Sequence, residues 1–349
     1  MQHILIVTTI RHKAHEPFWE AIYNKKFYHF PFYDKPLLRY LGALRIPKNF
    51  DIYLIEDLLP FAYLKYSPFL RNKIWISIVA DALSYIYFYQ PKWYFEERRL
   101  VKIKLPKVVR KFYLHEMAKG LKILDGAIAV SNLVKKYLKK VIDVPVEVVY
   151  PAINPINFQD IKNAKINMES NNLFSISVTG TWKGIDLMLD SFKLVLKEFK
   201  DTKLYLRTST HLIKIYWKEM KPLIKERKLV ILKRRVKWSE IAKQTFIYLQ
   251  TSYFDPCPVS VFEAGYMGMV PIVTKYVGSS EIYKDKFKSL IRDLYPEDIA
   301  EGIMKILEKD IEERRKLSEE IKEKSKAVEP EKVKEEFKKK FKLLLDKIL

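Results

Sequence analysis

A chain of 349 residues is long enough for two domains, and 48% hydrophobic with 30% charged residues is a globular balance that excludes a disordered protein. A single cysteine, Cys257, excludes an internal disulfide framework and a multi-cysteine zinc site, and makes the reducing cytoplasm the expected compartment. Lys plus Arg at 64 against Asp plus Glu at 42 gives +22, which suits an anionic partner: nucleic acid, lipid head groups or a nucleotide-linked substrate.

The opening run HILIVTT reads as a first strand and is too short for a secretory leader. The loop and helix IRHKAHEPFWEAIYN follow it. A basic loop at the carboxyl end of a first strand is well placed for ligand contact in an open α/β sheet. Arg11, His12 and His15 are therefore candidate acceptor or sugar contacts, against the plainer reading of polar surface. DIYLIED and KIWISIVAD read as further strands, the second ending at Asp81. That acid is either a ligand-facing group or a helix cap.

SYIYFYQPKWYF holds Tyr85 among seven aromatics in twelve residues. Such a stretch can stack on sugar rings, sit at a membrane interface, or form a packed lid. The apolar run from Ile74 to Tyr89 is broken by Asp81 and falls short of the roughly 20 residues that span a bilayer. The basic segment from Glu96 onward is expected to be one or two helices on a solvated face. DGAIAV is a strand, and SNLVKKYLKKV is a helix capped by Ser131 with Val134, Tyr137, Leu138 and Val141 on one side. VEVVYPAINPINF closes the first half, and the polar stretch 160–172 is the expected linker.

The alternation then restarts. LFSISV is a strand, TGTWKG a loop, and IDLMLDSFKLVLKEF a helix with an apolar stripe of Ile185, Met188, Leu189, Phe192, Val195, Leu196 and Phe199. KLYLR ends on Arg207, and LVILKRRV ends in a turn with Lys233, Arg234 and Arg235. WSEIAKQTF reads as a helix and IYLQT as a strand.

The organising stretch is TSYFDPCPVSVFEAGYMGMVPIVTKYVGSSEI, from Thr251 to Ile282. Each proline in Asp255-Pro256-Cys257-Pro258 biases the residue before it toward extended geometry, so helix is expected from about Pro258 to a stop at Gly268. VPIVT is the next strand, and VGSSEI is expected to open another helix. A helix starting at about Pro258 offers the free amides of Val259 and Ser260 to an anion. Asp255 stands just outside it and Glu263 about a turn inside. Beyond Glu281 the chain is helical and densely charged, with opposite charges spaced for i,i+4 pairs.

Ser252, Asp255, Pro258, Glu263-Ala264, Gly268, Pro271, Gly278 and Glu281 fall in the order of a known motif. In these residues the chain resembles the family 4 retaining glycosyltransferases of GT-B fold (glycosyl transferases group 1). Lys183-Gly184 is similar to that family's Lys-Gly, and Val149-Tyr150-Pro151 to its domain crossing, with Asn154 where Asp is usual. The resemblance implies that Glu263 holds the ribose hydroxyls of a nucleotide-sugar donor and that Lys183 neutralises its diphosphate. It implies that Asp255, one methylene shorter than the usual Glu, meets the donor sugar, with Asp81 in the place of a family histidine. The family's loop arginine and first glycine-rich loop are missing. Arg207 is the candidate substitute, and the basic turn 233–235 is a candidate for the nucleotide base.

The expected fold is α/β of GT-B architecture: two doubly wound Rossmann-like domains facing a cleft, with a C-terminal helix crossing back to the first. The expected domains are 1–160 on the acceptor side, 161–330 on the donor side, and 331–349 as the crossing helix. The expected function is metal-independent retaining transfer from a UDP-, GDP- or ADP-linked sugar. Scattered histidines and the lack of an Asp-x-Asp pair argue for no metal and no cofactor. The acceptor, whether lipid, glycan, protein or nucleic acid, is not legible. The expected location is cytoplasmic, with peripheral membrane contact through basic and aromatic surface. The rival reading is a GT-B protein that has lost catalysis and binds nucleic acid or a membrane surface through its charge.

Overall fold

The computed structural model describes residues 3–8, 13–29, 45–56, 73–80, 121–140, 142–178, 180–232 and 237–349. They form two compact units, one of residues 1–151 with 331–349 and one of residues 152–330.

The first unit is built on a six-stranded sheet ordered β2-β1-β3-β4-β5-β6. Its strands are β1 (Ile4–Thr8), β2 (Lys25–His29), β3 (Ile52–Glu56), β4 (Ile74–Val79), β5 (Gly126–Ala129) and β6 (Val146–Val148). Every pairing is parallel. β1 and β3 are buried at every residue, as continuous apolar strands covered on both faces must be. β2, KKFYH, had no sequence signal of its own. It is the edge strand, and partial exposure lets it carry Lys and His. Ser131 caps the helix Asn132–Leu138 as expected, its Oγ accepting from the Val134 N–H at 3.2 Å.

The helix Pro330–Ile348 belongs to this unit and buries Val333, Phe337, Phe341 and Leu344. Phe337 stacks on Phe18 at 4.7 Å, and Lys340 and Lys347 reach Glu147 of β6 at 3.2 and 2.6 Å. The chain thus returns to its first sheet after completing the second.

The second unit carries a sheet ordered β12-β11-β10-β7-β8-β9, again parallel throughout. The strands are β7 (Leu173–Ser177), β8 (Leu204–Thr208), β9 (Leu229–Leu232), β10 (Ile247–Gln250), β11 (Val270–Thr274) and β12 (Ile291–Arg292). The predicted helix after the Lys-Gly pair runs Ile185–Glu198 and buries Ile185, Met188, Leu189, Phe192 and Val195 of its apolar stripe, while Leu196 and, just past the helix end, Phe199 are half-buried.

Two readings need correction. The stretch 160–172 is not a linker: a helix spans Pro155–Lys162, started by the Asn154 side chain, which accepts from the Ile156 N–H at 3.1 Å. Asp160 binds the backbone and hydroxyl of Ser239, and Arg314 reaches back to Met168 O and Asn171 Oδ1 at 3.0 Å each. Composition hid this order, because the anchoring groups are polar and come from elsewhere in the chain. The segment Gly278–Ile282 is a short 3-10 turn rather than the start of an α-helix. Helices Thr210–Ile215 and Trp217–Lys225 were not anticipated, because Tyr216 and Pro222 interrupt the period that Leu212, Met220 and Leu223 would otherwise display.

Candidate functional site

In the second sheet the chain leaves β7 outward to β8 and β9, then returns to the other side of β7 to lay down β10. The loops after β7 and β10 therefore flank the point where strand order reverses, and ligands of doubly wound sheets bind at the carboxyl ends of such strands. Lys183 is in the first of these loops and Asp255 in the second.

The two loops are stitched through backbone. Tyr253 N–H donates to Trp182 O at 2.8 Å, and Thr251 Oγ1 donates to Gly184 O at 2.8 Å. Gly184 has φ +64, and a Cβ there would lie 2.0 Å from Thr251 O, so only glycine satisfies both the turn and the approach. This is a local reason for Lys-Gly: the glycine brings the loops together and the lysine reaches across. Lys183 Nζ makes an ion pair with Asp255 Oδ2, with the two side chains 16% and 8% exposed.

A third loop fixes Asp255. Its N–H donates to Tyr276 O, and its carbonyl accepts from the Gly278 N–H, both at 2.9 Å, so the loop after β11 grips the residue on both sides. Behind it runs a buried polar chain. The Tyr248 hydroxyl lies 2.8 Å from Ser260 Oγ and 3.0 Å from Gln250 Oε1; Gln250 Nε2 donates to Ser252 Oγ at 2.6 Å, and Ser252 lies 3.5 Å from Asp255 Oδ2. Ser260 is in the first turn of the helix Val259–Met267, whose leading amides have no partner within the helix. Pro258 takes the cap position, one residue before the helix, and Gly268 ends it at φ +95.

Glu263 lies one turn along that helix, 6% exposed, and its Oε1 accepts from Asn157 Nδ2 at 3.0 Å. Burial pushes the Tyr248 hydroxyl well above the ordinary tyrosine range, and the charges of Glu263 and Asp255 both push it further. Through Ser260 on one side and Gln250 and Ser252 on the other, the same hydroxyl connects the start of Glu263's helix to Asp255. Burial likewise raises the Cys257 thiol, with Glu281 and Asp255 acting in the same direction, so Glu281 borders the same region.

Other candidates are not brought to this cluster. Arg207 sits near the end of β8, half-buried, opposite Ile176 of β7, and has no hydrogen bond to Lys183, Asp255 or Glu263. His15 is 3% exposed rather than on the surface, with Nδ1 2.6 Å from Glu56 Oε1 and its ring stacked on Phe18. Its apolar neighbour Phe18 and the acid ending β3 draw it inward. Arg11, His12, Asp81, Tyr85 and the basic turn 233–235 lie outside the described residues. Among the described residues no group of three or more His, Cys, Asp or Glu is placed to hold a metal ion, and no helix is long and apolar enough to cross a membrane.

Three residues of the site were missed: Tyr248, Gln250 and Asn157. Tyr248, Gln250 and Ser252 alternate along IYLQTS, and a period of two would have set them on one face of the strand. Asn157 reaches Glu263 from 106 positions away, with no local signal.

Residues 157–324, all within the second unit, match the family model described as Glycosyl transferases group 1. A search of curated protein sequences returns no match. Among solved structures, HepE from Anabaena, in complex with UDP and glucose, matches with TM-score 0.70 and 12% identity over 98% of this chain and 100% of that one. The E. coli trehalose-6-phosphate structure bound with UDP-2-fluoro glucose matches with TM-score 0.65 and 12% identity over 98% of both chains. A UDP-forming trehalose-phosphate synthase from Burkholderia xenovorans gives TM-score 0.66 and 11% identity over 100% and 99%. At such identities these likenesses establish the fold: two Rossmann-like units of GT-B architecture, the second of them similar to the glycosyl transferases group 1 family.

Proposed function

We propose that this protein is a glycosyltransferase that takes a sugar from a nucleotide-sugar donor with retention of configuration and without a metal. The observation that carries the reading is the contact of Lys183 with Asp255 at the switch point of the second sheet, beside a helix start and a buried glutamate. When the bond to the sugar breaks, negative charge builds on the departing nucleoside diphosphate. A lysine and preorganised helix-end amides stabilise that charge in a partly buried site without further reorganisation. Glu263, held by Asn157, suits a pair of vicinal hydroxyls on a ribose, and Asp255 suits a hydroxyl of the sugar. The ligands bound in solved structures of the same fold, UDP with glucose and UDP-2-fluoro glucose, support a nucleotide sugar here.

A thermal-shift screen of UDP-, GDP- and ADP-sugars tests the reading. The expected result is a rise in melting temperature with one base, worth about 2.7 kcal/mol at a hundredfold excess over Kd, that Glu263→Ala abolishes. No rise with any of the three overturns it. Retention is read from the anomer of the first product formed, by NMR. The +22 charge supports a second reading, a non-catalytic protein that binds nucleic acid or anionic lipid. Steeply salt-dependent duplex or liposome binding without any nucleotide-sugar response would favour it.

A further inference from the structure

Asp255 divides its two carboxylate oxygens. Oδ2 takes the Lys183 ion pair and faces the Ser252 hydroxyl at 3.5 Å. Oδ1 has no hydrogen bond among the described residues, in a residue only 6% exposed. Its backbone is gripped on both sides by Tyr276 and Gly278, so the carboxylate cannot leave the site by a small movement of the loop. Oδ1 is not sealed off but keeps contact with solvent, and a carboxylate oxygen with no protein donor can accept a hydrogen bond from a ligand hydroxyl. Lys183, for its part, spends one of three ammonium donors on Asp255, and its positive charge is offset before any ligand arrives.

From this arrangement we infer that Asp255 lets the site tell a nucleotide sugar from the nucleoside diphosphate left after transfer. The inference rests on the proposed function and extends it to product release. A donor brings sugar hydroxyls that can satisfy Oδ1, and its diphosphate is capped by the sugar. The free nucleoside diphosphate has no such hydroxyl and bears an additional negative charge on its terminal phosphate, close to a carboxylate that already holds the nearest lysine. Lys183 alone would stabilise the leaving group and then retain it. Asp255 offsets that retention through like-charge repulsion, which acts on the product and not on the sugar.

Isothermal titration calorimetry tests this with UDP, GDP, ADP and inorganic pyrophosphate, and with the glucose conjugates of the three nucleotides. The proteins compared are wild type, Asp255→Asn and Asp255→Ser; the two variants remove the same charge, so misfolding of one leaves the other. Melting curves verify folding of each. The expected result is that both variants bind the nucleoside diphosphate and pyrophosphate about tenfold more tightly than wild type, while the conjugate gains nothing or weakens. The preference for donor over product therefore falls about tenfold or more. If wild type binds these ligands and the variants bind the diphosphates equally or more weakly, the inference fails while the glycosyltransferase reading stands. If wild type binds none of them at millimolar concentration, both fail together.

Discussion

The two sheets place a charged or hydrogen-bonding pair at the same topological position and use it differently. In the first sheet β1 is flanked by β2 and β3, and the turn after β1 supplies His15 while the end of β3 supplies Glu56. In the second, β7 is flanked by β8 and β10, and the loops after β7 and β10 supply Lys183 and Asp255. His15 and Glu56 are 4% and 3% exposed at the side chain, with Phe18 stacked on the imidazole and Phe337 stacked on Phe18. Lys183 keeps 16% of its side chain open. Both pairs stand where a parallel sheet offers a place for a ligand, and side-chain packing encloses the first while leaving the second partly open.

The largest expected effect breaks the second pair at its hinge. Gly184→Ala adds a Cβ 2.0 Å from Thr251 O at a residue with φ +64, so the loops must part. The expected cost is roughly 3 kcal/mol or more, read by chemical denaturation, together with loss of nucleotide binding. A variant that retained both stability and nucleotide affinity would show that the loops are not held together by their close approach.

A smaller effect is expected in the first sheet. His15→Ala removes the partner of a buried glutamate oxygen and should cost about 2 kcal/mol, while nucleotide affinity stays within about twofold of wild type. A tenfold loss of nucleotide affinity with little change in stability would make the two pairs alike and end the contrast.

The smallest effect is electrostatic and concerns how the last helix is held to the first sheet. Burial by itself raises the Glu147 carboxyl, but bonds from Lys347 and Lys340 outweigh it and leave the group below its ordinary value of 4.5. A carboxylate depressed on folding contributes stability above its unfolded pKa and loses it as pH falls through the folded one. Since Lys347 is about half exposed, solvent screening limits the contribution to about 1 kcal/mol. Glu147→Gln should therefore lower stability at neutral pH by about that amount and abolish the corresponding acid-side loss. An unchanged acid limb in the variant would remove Glu147 from the account.

The residues that carry the site were unevenly visible. Asp255, Ser260 and Glu263 could be read because prolines and glycine punctuate a short apolar helix, and local backbone preference fixes where that helix starts and stops. Lys183 was visible through its glycine. His15 was misplaced, because a histidine in a polar string looks exposed until an aromatic from its own helix and an acid from another strand enclose it. Asn157 was lost in the segment read as closing the first half, because its contact with Glu263 joins residues far apart along the chain.

The sequence by itself determined the two rounds of strand and helix, the glycine stop at Gly268 and the order of the acidic motif, because these follow from periodicity and from backbone preferences acting over a few residues. Only the tertiary structure decided that Lys183 meets Asp255, that Asn157 holds Glu263 and that His15 is enclosed. Each of these contacts joins residues 41 to 106 positions apart. Such contacts depend on strand order and on which loops the sheet brings together, and no local pattern of residues encodes that.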